Sequence, residues 1–160
     1  MNSILELILI TFVPILELRA SIPYGILKLH MDWVTVFIVC AVANIIIAPF
    51  FYFFLDKVIH LFLRIKWIER PYRYYVEKTQ KKIHSQVEKY GEWSVAVFIG
   101  IPLPGTGVYT GTLAAYLLGL GYKKTIYAAI LGVLMAAVIV TIITLTGAEA
   151  FYLFLKMNGA

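Results

Sequence analysis

The chain has 160 residues, of which 61% are hydrophobic and only 14% charged, and its mean hydropathy is +0.85. Soluble domains run at about half apolar and a quarter charged, so the composition excludes an ordinary soluble fold and predicts an all-α integral membrane protein built as one domain, 1–160. The formal net charge is +5, and the single cysteine, Cys40, rules out an internal disulfide. His30, His60 and His84 lie far apart in sequence, so neither a metal site nor a cofactor is expected. No nucleic-acid partner is expected either.

At the start of the chain no cleavable signal peptide is expected, because a basic n-region is missing and Glu6 interrupts the apolar run. Leu7 to Leu16 is 10 residues between two glutamates, too short to cross a hydrocarbon core of about 30 Å. Then comes a polar knot, Glu17-Leu-Arg19-Ala-Ser21-Ile-Pro23-Tyr-Gly25. Proline removes a backbone donor and glycine loosens a helix. Backbone that leaves the helix at membrane depth survives only where protein buries it or where it lines a watery cavity. Residues 3–30 are therefore read as a re-entrant hairpin, helix then break then helix. Intramembrane charge normally faces a cavity or a partner. Glu17 is the expected proton carrier, and Arg19 the expected holder of an anionic head group through paired hydrogen bonds. Ser21 and Pro23 complete this half of the site. The plainer alternative is a structural ion pair that caps the broken helix ends.

From Trp33 to Leu55 there are 23 residues without a charge, enough to span, and a transmembrane helix over 33–63 closes the first repeat, 1–63. Asn44 and Pro49 lie within it, and both are read as packing residues. Residues 64–91 read as a basic amphipathic helix, starting near residue 69 with Pro71 in its first turn. Residues 64–92 hold eight of the 14 lysines and arginines, and Lys123 and Lys124 raise the count on that face to ten. The positive-inside rule then puts 64–92 in the cytoplasm and both termini of this multi-pass cell-membrane protein outside.

The second repeat, 92–160, follows the same order. Trp93 to Ile101 and Thr112 to Leu120 are 9-residue apolar arms around Pro102-Leu-Pro104-Gly105-Thr106-Gly107-Val-Tyr109-Thr-Gly111. This predicts a second re-entrant hairpin over 92–120 and a transmembrane helix over 122–157, anchored on 24 uncharged residues from Thr125 to Ala148. Free amides in the second break, at the positive end of the following half-helix, suit a phosphate or a carboxylate. A tight turn that needs glycine for backbone reasons explains the same residues. Pro102, Pro104, Gly105, Thr106 and Gly107 would form the wall facing Glu17. The hairpins enter from opposite sides as an inverted repeat, the arrangement of secondary transporters. Arms of about 10 residues should bring Glu17 and Pro104 within roughly 15 Å. Small residues four apart, Gly132 with Ala136, suggest a homo-oligomer. No nucleophile–base–orienter set is present, so an enzyme is not expected.

On the Glu17–Gly25 and Pro102–Gly111 motifs the chain resembles the small multidrug export protein family, which is distantly similar to the DedA/VTT (SNARE-associated) superfamily of membrane proteins. The resemblance covers nearly the whole chain. It implies opposed re-entrant hairpins with two or more spans, and its superfamily arm implies movement of polyprenyl-phosphate carriers or phospholipids, proton-coupled in some members. DedA-type proteins typically carry arginines in the second hairpin, and this chain has none there. The expected function is a small transporter or flippase that moves a lipid phosphate, a phospholipid or an amphiphilic anion, with membrane lipids and protons as partners. The alternatives are a proton-coupled exporter of small molecules or drugs, and a non-transporting membrane scaffold.

Overall fold

The computed structural model describes residues 2–63, 90–103 and 105–158. The chain begins with α1 (Ser3–Phe12), capped by Asn2, whose side chain accepts from the Ile4 amide at 3.3 Å. A tight turn over 13–16 follows, closed by bonds from the Leu16 and Glu17 amides to the Val13 carbonyl, both at 3.0 Å. Pro14 sits in this turn, where its fixed φ and missing donor are no handicap. Next comes α2 (Glu17–Pro23), continuing into a wider π-helical turn, Tyr24–Lys28. The sequence reading put the break at Glu17–Gly25. The chain in fact turns four residues earlier, and Pro23 stays helical with φ −58° just before the π turn.

Cross-contacts define α1 and α2 as an antiparallel helical hairpin. The Thr11 hydroxyl bonds the Ser21 hydroxyl at 2.7 Å, and Tyr24 bonds Glu6. A Cβ on Gly25 would stand 2.9 Å from side-chain atoms of Leu7 and Val36, so three helical segments converge there only because position 25 has no side chain. Asp32 then accepts from the Val34 and Thr35 amides, both at 3.1 Å, and starts α3 (Trp33–Leu63), which passes through Pro49 without ending.

Residues 90–100 form α4, and non-helical residues 101–103 and 105–107 precede α5 (Val108–Leu117). A Cβ on Gly111 of α5 would fall 2.2 Å from Ile99, so α4 and α5 are in close contact across the loop as a second hairpin. A Schellman ending stops α5. Gly119 takes φ 75°, its amide bonds Tyr116 O at 3.0 Å, and the Leu120 amide bonds Ala115 O at 2.9 Å. Then α6 (Tyr122–Asn158) runs to the end of the described chain.

The core lies where α2, α3, α5 and α6 pack, filled by Leu18, Ile22, Val36, Val108 and Val133, with alanines such as Ala48, Ala129 and Ala137 letting helices approach. Outside it, many large apolar residues are exposed, among them Phe50, Phe53, Phe54, Ile142 and Ile143. Water would disfavour such a surface and lipid would not. Among the described residues, two helices are long and apolar enough to cross a membrane, over Trp33–Ile59 and Tyr122–Gly147. At 1.5 Å per residue, the 10-residue helices α1 and α5 reach about 15 Å each, half of a hydrocarbon core. The amphipathic helix expected over 64–91 lies almost wholly outside the described residues.

Gly132 and Ala136 serve packing within the chain. Both are buried, and a Cβ on Gly132 would meet Ala96 O and Ile99 Cβ at 2.6 Å. That small-residue pair therefore seats α4 on α6, so it is not available as a contact between copies.

Candidate functional site

The two hairpin tips meet, and a charged pair joins them. Glu17 opens α2 with φ 47°, a left-handed conformation that costs a non-glycine residue roughly 1–2 kcal/mol. The carboxylate it presents is only 3% exposed. Glu17 Oε2 accepts from Arg19 Nη1 at 2.9 Å and from the Val108 amide at 3.2 Å, and Oε1 accepts from the Tyr109 amide at 3.4 Å. Val108 and Tyr109 are the first residues of α5, whose amides have no intrahelical partner. The free amides at the start of α5 thus hold a carboxylate, and it is the chain's own Glu17.

Arg19 completes the junction. Its side chain is 16% exposed, and Nη2 donates to Ile99 O at 3.2 Å, Ile101 O at 3.3 Å and Thr106 Oγ1 at 3.0 Å. Those carbonyls are left over where α4 ends, so the guanidinium caps one broken helix while Glu17 caps the start of the next. Thr106 shapes the loop between them. Its Oγ1 lies 2.6 Å from Ile101 O and 2.9 Å from Leu103 O, within donating distance of each, and accepts from the Leu103 amide at 3.3 Å. A further tip-to-tip bond runs from the Tyr109 hydroxyl to Phe12 O at 2.7 Å.

Gly107 makes the pair fit. A Cβ there would lie 2.4 Å from Glu17 Oε2, 2.6 Å from Oε1 and 2.7 Å from Arg19 Nη1. Its φ of 160° is extended backbone, so the glycine is needed for space and not for torsion. Gly105 is the reverse case, with φ 85° and nothing within 4 Å of a Cβ.

The other residues expected at the site divide. Ser21 is buried one turn along α2, where it bonds Thr11 and contacts Cys40 Sγ at 3.2 Å, away from the charged pair. Pro23 and Pro102 are half-buried and make no hydrogen bond with the pair. Pro104 lies outside the described residues, so its separation from Glu17 has no value here, although Thr106 two residues on touches Arg19.

Asn44 is the residue that sequence reasoning assigned to packing alone. It is 1% exposed on α3, its side chain is a hydrogen-bond neighbour of the Glu17 carboxylate, and its Oδ1 has no partner. An amide in the middle of a 23-residue uncharged stretch is a detectable polar outlier, and only the fold shows which charge it faces. Among the described residues no three His, Cys, Asp or Glu side chains cluster as metal ligands would.

Glu17, Arg19, Gly107 and two α5 amides thus form a buried polar junction between broken helices. Such a junction can hold or release the hairpin tips and can carry charge across an apolar layer. No curated protein and no solved structure matches the chain. A family model described as "Putative small multi-drug export protein" matches residues 17–139, from the first site residue to well inside α6. The match covers most of the chain and spans both motifs, and the chain belongs to that family.

Proposed function

We propose that the protein is a small membrane transporter that exports small amphiphilic molecules, with the Glu17–Arg19 junction as its gate. The observation that carries this reading is a buried ion pair bridging two hairpin tips, because charge buried at membrane depth is costly and by default marks a moving or ligand-binding element. The family description favours this reading over lipid translocation.

In this reading α1–α2 and α4–α5 are re-entrant hairpins from opposite faces, each followed by a spanning helix, because their helices reach only half the core. Residues 64–92 face the cytoplasm and both termini lie outside. While Glu17 is ionised it holds Arg19 and the α5 amides, and the tips stay closed. A proton on Glu17 removes the charge that all of these donors bind, so the tips separate and open a path to one side. Loss of the proton to the other side closes them. Export is thereby coupled to protons without a separate proton site.

Proteoliposomes with an imposed pH gradient and a lipophilic cationic dye test this. Wild-type protein should move the dye in response to the gradient, and Glu17→Gln should lose that response by at least tenfold, about 1.4 kcal/mol of coupling. Equal dye movement by the variant and the wild type rules the gate out. Arg19 supports a second reading, because a guanidinium freed from Glu17 would suit a phosphate. The DedA/VTT resemblance expected from the two motifs would point the same way. A fluorescent lipid phosphate in the same vesicles separates the two: flipping of the lipid without dye movement assigns the protein to lipid translocation. We also propose that it works as a homo-oligomer, through a surface other than the Gly132–Ala136 face.

A further inference from the structure

Two buried oxygens next to the junction lack the partners that burial demands. Asn44 is 1% exposed and Thr112 0%, yet Asn44 Oδ1 and Thr112 Oγ1 have no hydrogen-bond partner among the described residues. A polar atom left unpaired away from water bears the full cost of its desolvation. Thr112 also differs from three other threonines of the fold. Thr11, Thr144 and Thr146 each turn the hydroxyl onto the carbonyl four residues back, at 2.8, 2.7 and 2.8 Å. The Thr112 hydroxyl makes no such bond to Val108 O, so its own helix does not satisfy it. The Asn44 amide has a fixed sense. A carboxylate only accepts, so Nδ2 serves Glu17 and the acceptor Oδ1 is the atom left over.

Both residues lie on the seam between α3 and α5. Tyr109, Thr112 and Tyr116 recur at i, i+3 and i+7 and share one face of α5. The flanking rings turn that face to α3, because Tyr109 stands 4.9 Å from Phe51 and Tyr116 5.3 Å from Tyr52, centroid to centroid. On α3, Asn44, Ala48 and Phe51 recur at i, i+4 and i+7, so Asn44 shares the face that meets α5. Ala48, fully buried on that face, brings only a methyl group into the seam. The chemistry of the two atoms selects the occupant. Hard metal cations take about six to eight oxygen ligands. The seam offers only neutral oxygens, and Arg19 and the α5 amides already hold the Glu17 carboxylate. An apolar molecule would leave both oxygens unpaired. Water donates to Asn44 Oδ1 and exchanges a hydrogen bond with the Thr112 hydroxyl in either sense.

We propose that the α3–α5 seam is a binding site for buried water, which links Asn44 Oδ1 to the Thr112 hydroxyl. Water there pairs both oxygens and holds the Asn44 amide with Nδ2 on Glu17. Thr112 is then a positioning residue for the junction, acting through water and Asn44. The site does not depend on the gate reading, since it stands whether or not the hairpin tips move.

Water–amide NOE spectra of the deuterated, ¹⁵N-labelled full-length protein in detergent micelles test this directly. The Thr112 main-chain amide and the Asn44 side-chain amide should both show cross-peaks at the water frequency, with the sign of a long-lived bound molecule. Thr112→Val should abolish the cross-peak at Asn44, and Asn44→Leu should abolish the one at Thr112. The second loss matters because the Thr112 hydroxyl is still present in Asn44→Leu, so a signal relayed by that hydroxyl alone would survive. Thr112→Ser keeps the hydroxyl and should keep both cross-peaks. Stability gives a second readout that needs no Asn44 variant. Valine has the shape of threonine without the hydroxyl, so with water bound Thr112→Val should lower Tm by about 2–8 °C. In a dry seam the same change removes an unpaired hydroxyl and should raise Tm. Absent cross-peaks in the parent protein, a Thr112 cross-peak unchanged in Asn44→Leu, or a Tm raised by Thr112→Val overturns the proposal.

Discussion

Gly107→Ala is the sharpest test of the junction, because one methyl group is placed between known atoms. Its position is 2.4 Å and 2.6 Å from the two Glu17 oxygens and 2.7 Å from Arg19 Nη1, all inside van der Waals contact. Were the space empty, the change would stabilise the protein by about 0.4–1 kcal/mol, since the extended backbone suits alanine and the unfolded chain loses freedom. With the pair in place, overpacking costs about 1–3 kcal/mol. Driving the pair apart raises the cost toward the 3–5 kcal/mol typical of a broken buried ion pair. A net loss of about 2 kcal/mol corresponds to a fall in apparent Tm of about 4–8 °C for a chain of this size. Circular dichroism melts in one detergent, at one scan rate, measure it. The double variant Glu17→Ala/Gly107→Ala removes the carboxylate that the methyl strikes. Its destabilisation should be smaller than the sum of the single effects by about 0.5–3 kcal/mol. Additive effects, or a stabilising Gly107→Ala, would refute the placement of Glu17 against Gly107.

Other changes probe neighbouring contacts. Arg19→Lys keeps the charge but loses the fork that reaches Ile99 O, Ile101 O and Thr106 at once, and should cost about 1.5–3 kcal/mol in the same melts. Tyr109→Phe removes the tip-to-tip bond to Phe12 O and should cost about 0.5–1.5 kcal/mol, a modest loss seen as a Tm fall of a few degrees. Gly132→Val, which forces side-chain atoms onto Ala96 O and Ile99, should destabilise strongly, whereas Gly147→Ala, inside α6 with open space around it, should raise Tm by about 1–4 °C.

Much of this arrangement was legible in the sequence where the physics is one-dimensional. The uncharged stretches after Asp32 and after Lys124 became α3 and α6 because length and apolarity alone decide whether a helix can span. Glu17 and Arg19 stood out because charge inside an apolar run is costly, and the loop at 101–107 followed from its prolines and glycines. The location of the first turn did not follow. Pro14 and Pro23 both offer a break, and only the packing of Gly25 against Leu7 and Val36 decides that the chain turns at the first and stays helical through the second. The partners of Glu17 were equally hidden. The amides of Val108 and Tyr109 are backbone groups 91 and 92 residues away, and no side-chain pattern marks them. Gly132 and Ala136 mark a close helix contact in sequence, but spacing cannot say whether the neighbour is α4 or another copy.

The central claim is that two half-length hairpins enter the membrane from opposite faces and meet at Glu17 and Arg19. Single cysteines at Asn2, His30, Tyr90 and Gly121, in a Cys40→Ser background, test it by labelling with a membrane-impermeant thiol reagent in sealed, oriented vesicles. Positions 2 and 30 should react from one side and positions 90 and 121 from the other. Positions 2 and 30 reacting from opposite sides would mean that the first hairpin crosses the bilayer, and would contradict it.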